Sequence, residues 1–372
     1  MKSLYSKINR VLLSTFEQPP QGHALKRIQT LSGLIAGMIK KGDSHMPAIG
    51  SGLCKDIDAN SKTIAATRFI DSKWVDYETH YLPFLTSFLM GMIQTYFSKL
   101  GEIILAIDGS QMGKDNAALM VSIVWRRRAI PICWFVKQGS KGHFTEQNHV
   151  RLLEQTLSLL LPLVPKGIRL TLLGDGEFDG TNLQECCLEN GVNYALRTAC
   201  NSVFYKEGER FQSKQISPEN GHDCVFINKL EFTEKRFCYV NFVCWHNTKK
   251  YLDPIFLVSN LDEPGDIIEY YDLRYSIECL FKDIKSSSFN IHKTRLKKPH
   301  RVFNLLLVAC LAFLLLAALA FRYDQKEYRK KVHRVRADQK VCSFFTFALL
   351  LLEHFLENET PFKFNFQFSK IE

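Results

Sequence analysis

Apolar positions change their spacing several times along the chain, and each change marks a segment with its own architecture. In residues 22–41 (GHALKRIQTLSGLIAGMIKK), Leu25, Ile28, Leu31, Ile35 and Met38 recur at helical spacing. A second such segment, 65–69, precedes an aromatic run from Trp74 to Phe84, so a helical N-terminal module is expected. From Glu102 the spacing shortens: IILAID, ALMVSIVW and AIPICWFV are apolar runs divided by polar turns, as strands buried in a sheet are. Three in succession predict an antiparallel meander. Residues 145–161 are helix-periodic and stop at Pro162, RLTLLGD (169–175) is a further buried strand, and a helix over 182–189 leads into the strand NYALR. Residues 200–260 hold no helical period, and the alternation in SVFYKEGERFQ, KLEFTEKRFCYVNFVCW and PIFLVSNL predicts an all-β insertion. Beyond it, DIIEYYDLRYSIECLFKDIKSS predicts one helix over roughly 266–286. A basic stretch (292–301), an apolar stretch (302–321), a second basic stretch and a final apolar helix (344–357) follow.

Composition narrows the class. With 46% hydrophobic and 23% charged residues, and only 12 Pro and 20 Gly, the chain has a core to bury and is neither disordered nor collagen-like. Lys and Arg outnumber Asp and Glu by 48 to 38, a net charge of +10 that points to a polyanionic partner. The 11 cysteines are scattered and include no CxxC pair. Free thiols in a reducing cytoplasm are therefore expected, not a zinc ribbon or a disulfide framework. Residues 1–18 lack an apolar core before a small-residue cleavage site, so no secretory signal is expected. Residues 302–321 contain one strongly polar residue, Asn304, and meet the length criterion for a membrane span. Lys297, Lys298 and Arg301 precede them and Arg322 and Lys326 follow, so no charge asymmetry sets an orientation. The reading adopted is a helix buried on all sides, with no membrane as partner; a membrane anchor is the alternative.

Two carboxylates end apolar strands. Asp108 closes IILAI before Gly109, and Asp175 closes LTLLG before Gly176. Desolvation expels a charge from such a run to its tip, so each alone reads as a turn residue. A third acid changes that. On the helix expected at 266–286, Tyr271, Arg274, Glu278, Lys282 and Lys285 fall within an arc of about 80°, and Leu273, Ile277, Leu280, Phe281 and Ile284 take the other side. One face packs and the other presents acid and base together, although a solvated face laced by ion pairs has the same pattern. Asp115, Glu177 and Asp179 are near the strand acids, but Asp175 ends its strand directly. His143 and His149 lack a carboxylate at a matching position and read as surface or capping residues.

The spacing on the helix is more specific: Tyr271, two residues, Arg274, three residues, Glu278, six residues, Lys285. It resembles the Tyr-Arg-Glu-Lys signature of the IS4 family of insertion-sequence transposases. Asp108 in IDGSQ and Asp175 in LGDGEFDG resemble the first two acids of that family's Asp-Asp-Glu triad. The order also matches: strand acid, strand acid, β-rich insertion, helix acid. The resemblance runs from about residue 100 to 320. It implies an α/β fold whose core is a ribonuclease H-like mixed sheet, with an all-β insertion before the catalytic helix and helical N- and C-terminal regions. It implies that Asp108, Asp175 and Glu278 are catalytic and hold two Mg²⁺ (or Mn²⁺) ions, roughly 3.5–4 Å apart, for in-line phosphoryl transfer. Arg274 and Lys285 would then bind phosphates beside the scissile bond, and Tyr271 would donate its hydroxyl to a phosphate. Members of the family stack an extruded base on an aromatic residue of the insertion. No tryptophan begins the last inserted strand here, and Tyr251, Phe256 and Trp245 are the candidates.

Residues 292–301 carry five Lys or Arg and no acid, and residues 322–340 carry eight against three acids. Lys282, Lys293 and Arg295 are accordingly expected to contact DNA, with Arg126 to Arg128 in a tight turn sharing the ambiguity of any charged surface. The expected organisation is a helical DNA-binding region (1–98), a first core part (99–199), a β insertion (200–262), catalytic and buried helices (263–324) and a helical C-terminal region (325–372). The expected partners are double-stranded DNA, as terminal inverted repeats and target, and a second copy in a homodimeric synaptic complex. The expected compartment is the bacterial cytoplasm, at the nucleoid when bound to DNA. The alternative function is a DNA-binding protein that keeps the fold without catalysis.

Overall fold

The computed structural model describes residues 2–140, 142, 144–218, 223–247, 249, 252–332, 343–364 and 366. His143 and Tyr251 lie outside these, as does much of the second basic stretch. Seven helices precede the first strand: α1 Lys2–Ser14, α2 Gly22–Lys41, α3 Met46–Gly50, α4 Ala59–Asp71, α5 Tyr77–His80, α6 Leu82–Met92 and, after a π-helical turn Ile93–Phe97, α7 Ser98–Leu100. The apolar stripe read in α2 is its buried face, from Ile28 through Met38. Asp58 caps α4 by accepting from Ser61 N–H.

The strands β1 Glu102–Met112, β2 Asn116–Trp125 and β3 Arg128–Gln138 form the expected meander. Helix α8 Glu146–Leu160 begins at a capping box, with Thr145 and Asn148 satisfying each other's backbone N–H. Strand β4 Arg169–Gly174, helix α9 Thr181–Glu189 and strand β5 Val192–Thr198 follow, and β4 pairs parallel with both β1 and β5. The insertion supplies β6 Val203–Lys206, β7 Glu209–Gln212, β8 Cys224–Phe232, β9 Phe237–Trp245 and β10 Ile255–Ser259. Because β10 pairs antiparallel with β5, these strands extend the same sheet, giving the order β3-β2-β1-β4-β5-β10-β9-β8-β6-β7. The fold is a mixed α/β one built on this large mixed sheet.

The helix expected over 266–286 is irregular at two places. It runs as α10 Pro264–Leu273 and α11 Tyr275–Lys282, then widens into a π-helical turn Asp283–Ser287. At Arg274 the backbone tightens, with Arg274 N–H donating to Tyr271 C=O and Ile277 N–H to Arg274 C=O. One tight and one wide turn rotate the stripe away from a constant 100° per residue. Ile277, Leu280, Phe281 and Ile284 pack as expected, but Tyr271 is buried as well, so that stripe is not a solvated face.

A short 3₁₀ turn (Ile291–Lys293) leads to α12 Pro299–Tyr323, then α13 Lys326–Val332 and α14 Phe344–Glu357. Helix α12 is long and apolar enough to cross a membrane, yet 94% of its apolar window is buried inside the protein. It packs against β3, α2, α4, α6 and α14, which makes it the axis of the core. Its one polar interior residue, Asn304, donates to the carbonyls of Ile70 (3.0 Å) and Ser72 (3.2 Å) at the end of α4. At the β3 edge of the sheet a register shift opposite Val121 and Ser122 leaves carbonyls off the ladder. The hydroxyls of Tyr77 and Tyr81 donate to those of Ile132 and Pro131, each at 2.7 Å.

Candidate active site

Ile107 of β1 is paired with Gly174 of β4 in parallel register, so the next residues, Asp108 and Asp175, leave that pairing side by side. Strand β1 continues past this point against β2, where Asp108 faces Met120, while β4 stops. Asp175 therefore begins a turn while β1 runs on beside it. The chain turns sharply after β4: Phe178 N–H donates to Asp175 C=O, and Glu177 N–H to Asp175 Oδ1 at 3.0 Å. A Cβ on Gly174 would stand 2.7 Å from Phe178 Cβ, so the turn closes only over glycine. Asp108 is 3% exposed and accepts from Gly109 N–H at 2.7 Å.

Helix α11 packs against β3 and β1, and the 3₁₀ turn Ile291–Lys293 also touches β1. Ser110 projects from the same face of β1 as Asp108, two residues on, and receives Lys285 Nζ at 3.1 Å. Arg274 and Glu278 form an ion pair of 2.6 Å. Burial alone would lower the pKa of the Arg274 guanidinium, but Tyr271, Glu278 and Asp108 more than reverse this, so it is raised. Burial raises the Tyr271 hydroxyl and Asp175 adds to the rise, against Arg274 and Arg197. Asp108, Asp175, Tyr271, Arg274, Glu278 and Lys285 thus share one neighbourhood.

Within it the acids are not equivalent. Asp108 and Asp175 adjoin, whereas the Glu278 carboxylate is engaged by Arg274. Among the described residues no three His, Cys, Asp or Glu side chains stand close enough to hold a metal ion. The donor chemistry suits a hard divalent cation, since the paired groups are carboxylates.

The remaining residues singled out from the sequence take different places. Lys282, Lys293 and Arg295 are exposed. The backbone of the basic stretch 292–301 is fastened beside the β1–β2 turn, where Asn116 Nδ2 donates to the carbonyls of Leu296 and Lys297. Glu177 is exposed, and Asp179 is held by Thr198 Oγ1 at 2.5 Å and raised by burial. His149 is not a surface or capping residue: it is 5% exposed, packs on Phe178, and burial pushes its imidazole down to about 4. Sequence periodicity placed it near a helix start but carried no sign of the Phe178 ring above it. Trp245 and Phe256 are both buried, and Phe256 also lines a cavity of about 750 Å³ with Asp175, Arg197 and Lys214. Arg197 was missed; a lone charge closing the apolar run NYAL is the signal that marks it.

Residues 141–315 match the family model described as transposase DDE domain. The matched segment contains Asp175, the insertion, Tyr271, Arg274, Glu278 and Lys285, and begins after Asp108. The match supports a transposase of the DDE type, a class that in general cleaves DNA and transfers strands. No curated protein matches the chain significantly. Among solved structures, an Argonaute of Aquifex aeolicus is 15% identical over 56% of this chain, which spans only 28% of that protein, with a TM-score of 0.26. Endonuclease V of Ciona intestinalis, in complex with a 24mer DNA, is 12% identical over 54% of this chain and 80% of its own, with a TM-score of 0.28. Human ENDOV is 9% identical over 63% and 96%, with a TM-score of 0.25. Likeness at this level bears on neither activity nor partner.

Proposed function

We propose that this protein is an IS4-like DNA transposase with a ribonuclease H-like core, in which Asp108, Asp175 and Glu278 form the catalytic triad. The observation that carries the reading is the coincidence of the transposase DDE match with the geometry. Two of the three acids fall inside the matched segment, one directly after a strand that pairs with that of Asp108 and one on a helix that packs against it. The strand order β3-β2-β1-β4-β5, with β4 parallel to both neighbours, supports a ribonuclease H-like core.

In this reading the exposed Lys282, Lys293 and Arg295 neutralise phosphates of duplex DNA, bound first as the element's terminal inverted repeat and later as target. Lys285 acts as a point charge beside the scissile phosphate. Arg274 binds a flanking phosphate through its planar fork. Doing so draws it from Glu278 and frees that carboxylate to join Asp108 and Asp175. Tyr271, buried with Arg274 lying 5.5 Å from its ring centre, holds the guanidinium in place more than it contacts DNA. Asp108, Asp175 and Glu278 would hold Mg²⁺ or Mn²⁺, which would supply polarisation of the phosphate and of the attacking and departing oxygens. The cavity beside Asp175 offers Phe256 to an unstacked base. Two element ends are handled together by a homodimer.

The test is cleavage of duplex DNA carrying the element's end, with and without Mg²⁺. Glu278→Gln is expected to abolish cutting while retaining binding. A Glu278→Gln protein that cuts at the wild-type rate, or a wild type that binds the end and never cuts it, would sink the enzymatic reading. The second outcome is what a DNA-binding protein without catalysis would give.

A further inference from the structure

A cavity of about 740 Å³ opens at the end of the sheet away from the strand acids, between the start of β1, the β2–β3 turn and the π-helical turn Ile93–Phe97. Glu102, on its wall, is six residues along β1 from Asp108, about 20 Å at the rise of a strand. It is therefore separate from the candidate active site. Its volume lies within the roughly 300–1,000 Å³ of small-molecule sites.

The wall has three unusual features. The β2–β3 turn has only two residues between its strands, and both, Arg126 (φ 47°) and Arg127 (φ 60°), occupy the left-handed region. Hairpin turns of this type favour Asn-Gly, because a side chain there is strained, so two arginines are held against local preference. Backbone strain of this kind gathers at functional sites, as do π-helical turns. The second feature is aromatic: the Arg126 guanidinium stands 4.5 Å from the ring centre of Trp125 and 5.8 Å from that of Tyr96. A guanidinium laid against rings keeps its N–H edge for an anion.

The third feature is charge. The acids on the wall are turned to partners: Glu102 accepts from the Tyr270 hydroxyl at 2.6 Å and pairs with Arg169 at 3.8 Å, and Asp324 pairs with Arg329 at 2.6 Å. Arg127 pairs with Asp272 at 3.0 Å. Among the described residues Lys99 and Arg126 have no such carboxylate. Positive charge without a counter-charge thus lies beside aromatic rings in a cavity too large for a lone inorganic anion. A flat ring joined to a phosphate satisfies both.

We propose that this cavity is a second binding site, for a nucleoside phosphate, with the base against the aromatic wall and the phosphate held by Arg126 and Lys99. The source is either a free nucleotide or the phosphorylated end of a DNA strand. The site shares no residue with the carboxylates, and it stands whether or not the catalytic reading does.

The experiment is calorimetric titration of the full chain with dAMP and, separately, with a short single-stranded oligodeoxynucleotide bearing a 5′-phosphate. Arg126→Asn keeps the turn, because Asn tolerates the left-handed region, and Lys99→Ala alters an exposed side chain. The wild type is expected to bind at least one probe. Each variant is expected to weaken that binding by roughly tenfold or more with an unchanged melting temperature. Binding of dAMP assigns the site to a free nucleotide, and binding of the oligonucleotide alone assigns it to a strand end. If neither probe binds the wild type, or if both variants bind as the wild type does, the site is overturned.

Discussion

Buried His149 and half-buried Asp283 set opposite pH dependences. Burial raises the Asp283 carboxyl to about 6 against the pull of Arg128 and Lys282, and lowers the His149 imidazole to about 4. The folded chain holds the Asp283 proton more tightly than the unfolded one, whose value is 3.8. That contribution is full below the unfolded value and is lost as pH rises through about 6. For His149 the unfolded chain takes up a proton below its ordinary 6.5 that the folded chain refuses until about 4, so stability falls as pH falls through that window. Asp283→Asn is expected to stabilise the fold at pH 7 by roughly 2 kcal/mol and to do nothing at pH 4. His149→Gln is expected to flatten the acid limb, and melting curves across pH 4–8 check both. An equal gain for Asp283→Asn at both pH values would rule out burial of a charge as its cause. Neither shift was legible beforehand, because each depends on which remote elements cover the group. The spacing of Tyr271, Arg274, Glu278 and Lys285 was legible because it is local, as was an ion pair between Arg274 and Glu278 four residues apart; the burial of Tyr271 beside them was not.

Among elements, those governed by a long uniform period were read closely. The helix expected over 344–357 is α14 to the residue, and the apolar stretch 302–321 lies within α12. Length and hydropathy alone left a membrane span open for α12, and its packing is what places it in the core. Asn304 shows the difference: the single polar group of that stretch fastens α12 to the end of α4 through two carbonyls. Asn304→Ala is expected to cost about 1–3 kcal/mol, since both acceptors lose a donor in a buried place. Denaturant unfolding measures it, and a loss below a few tenths of a kcal/mol would mean that water replaces the amide. The tight turn at Arg274 and the π-turn after Lys282 escaped the sequence reading because neither breaks the apolar pattern with a proline or glycine.

Over the whole molecule, alternation in residues 200–260 revealed strands but not their destination. Pairing of β10 with β5 is a contact between distant segments, and only the assembled sheet shows that the inserted strands lengthen the one bearing Asp108 and Asp175. The other border of that sheet has its own dependence. The carbonyls of Pro131 and Ile132 are silenced by phenol groups from the N-terminal helices, in place of a neighbouring strand. A fragment beginning at residue 99 would uncover an eleven-residue border strand and the apolar side of α12 together. Such a fragment is expected to self-associate, which light scattering would detect; a monodisperse fragment would show that the border needs no cover. The leading helices are thus a lid on stickiness, and any attempt to harvest the chemistry-bearing half by trimming must first supply a substitute for two tyrosines.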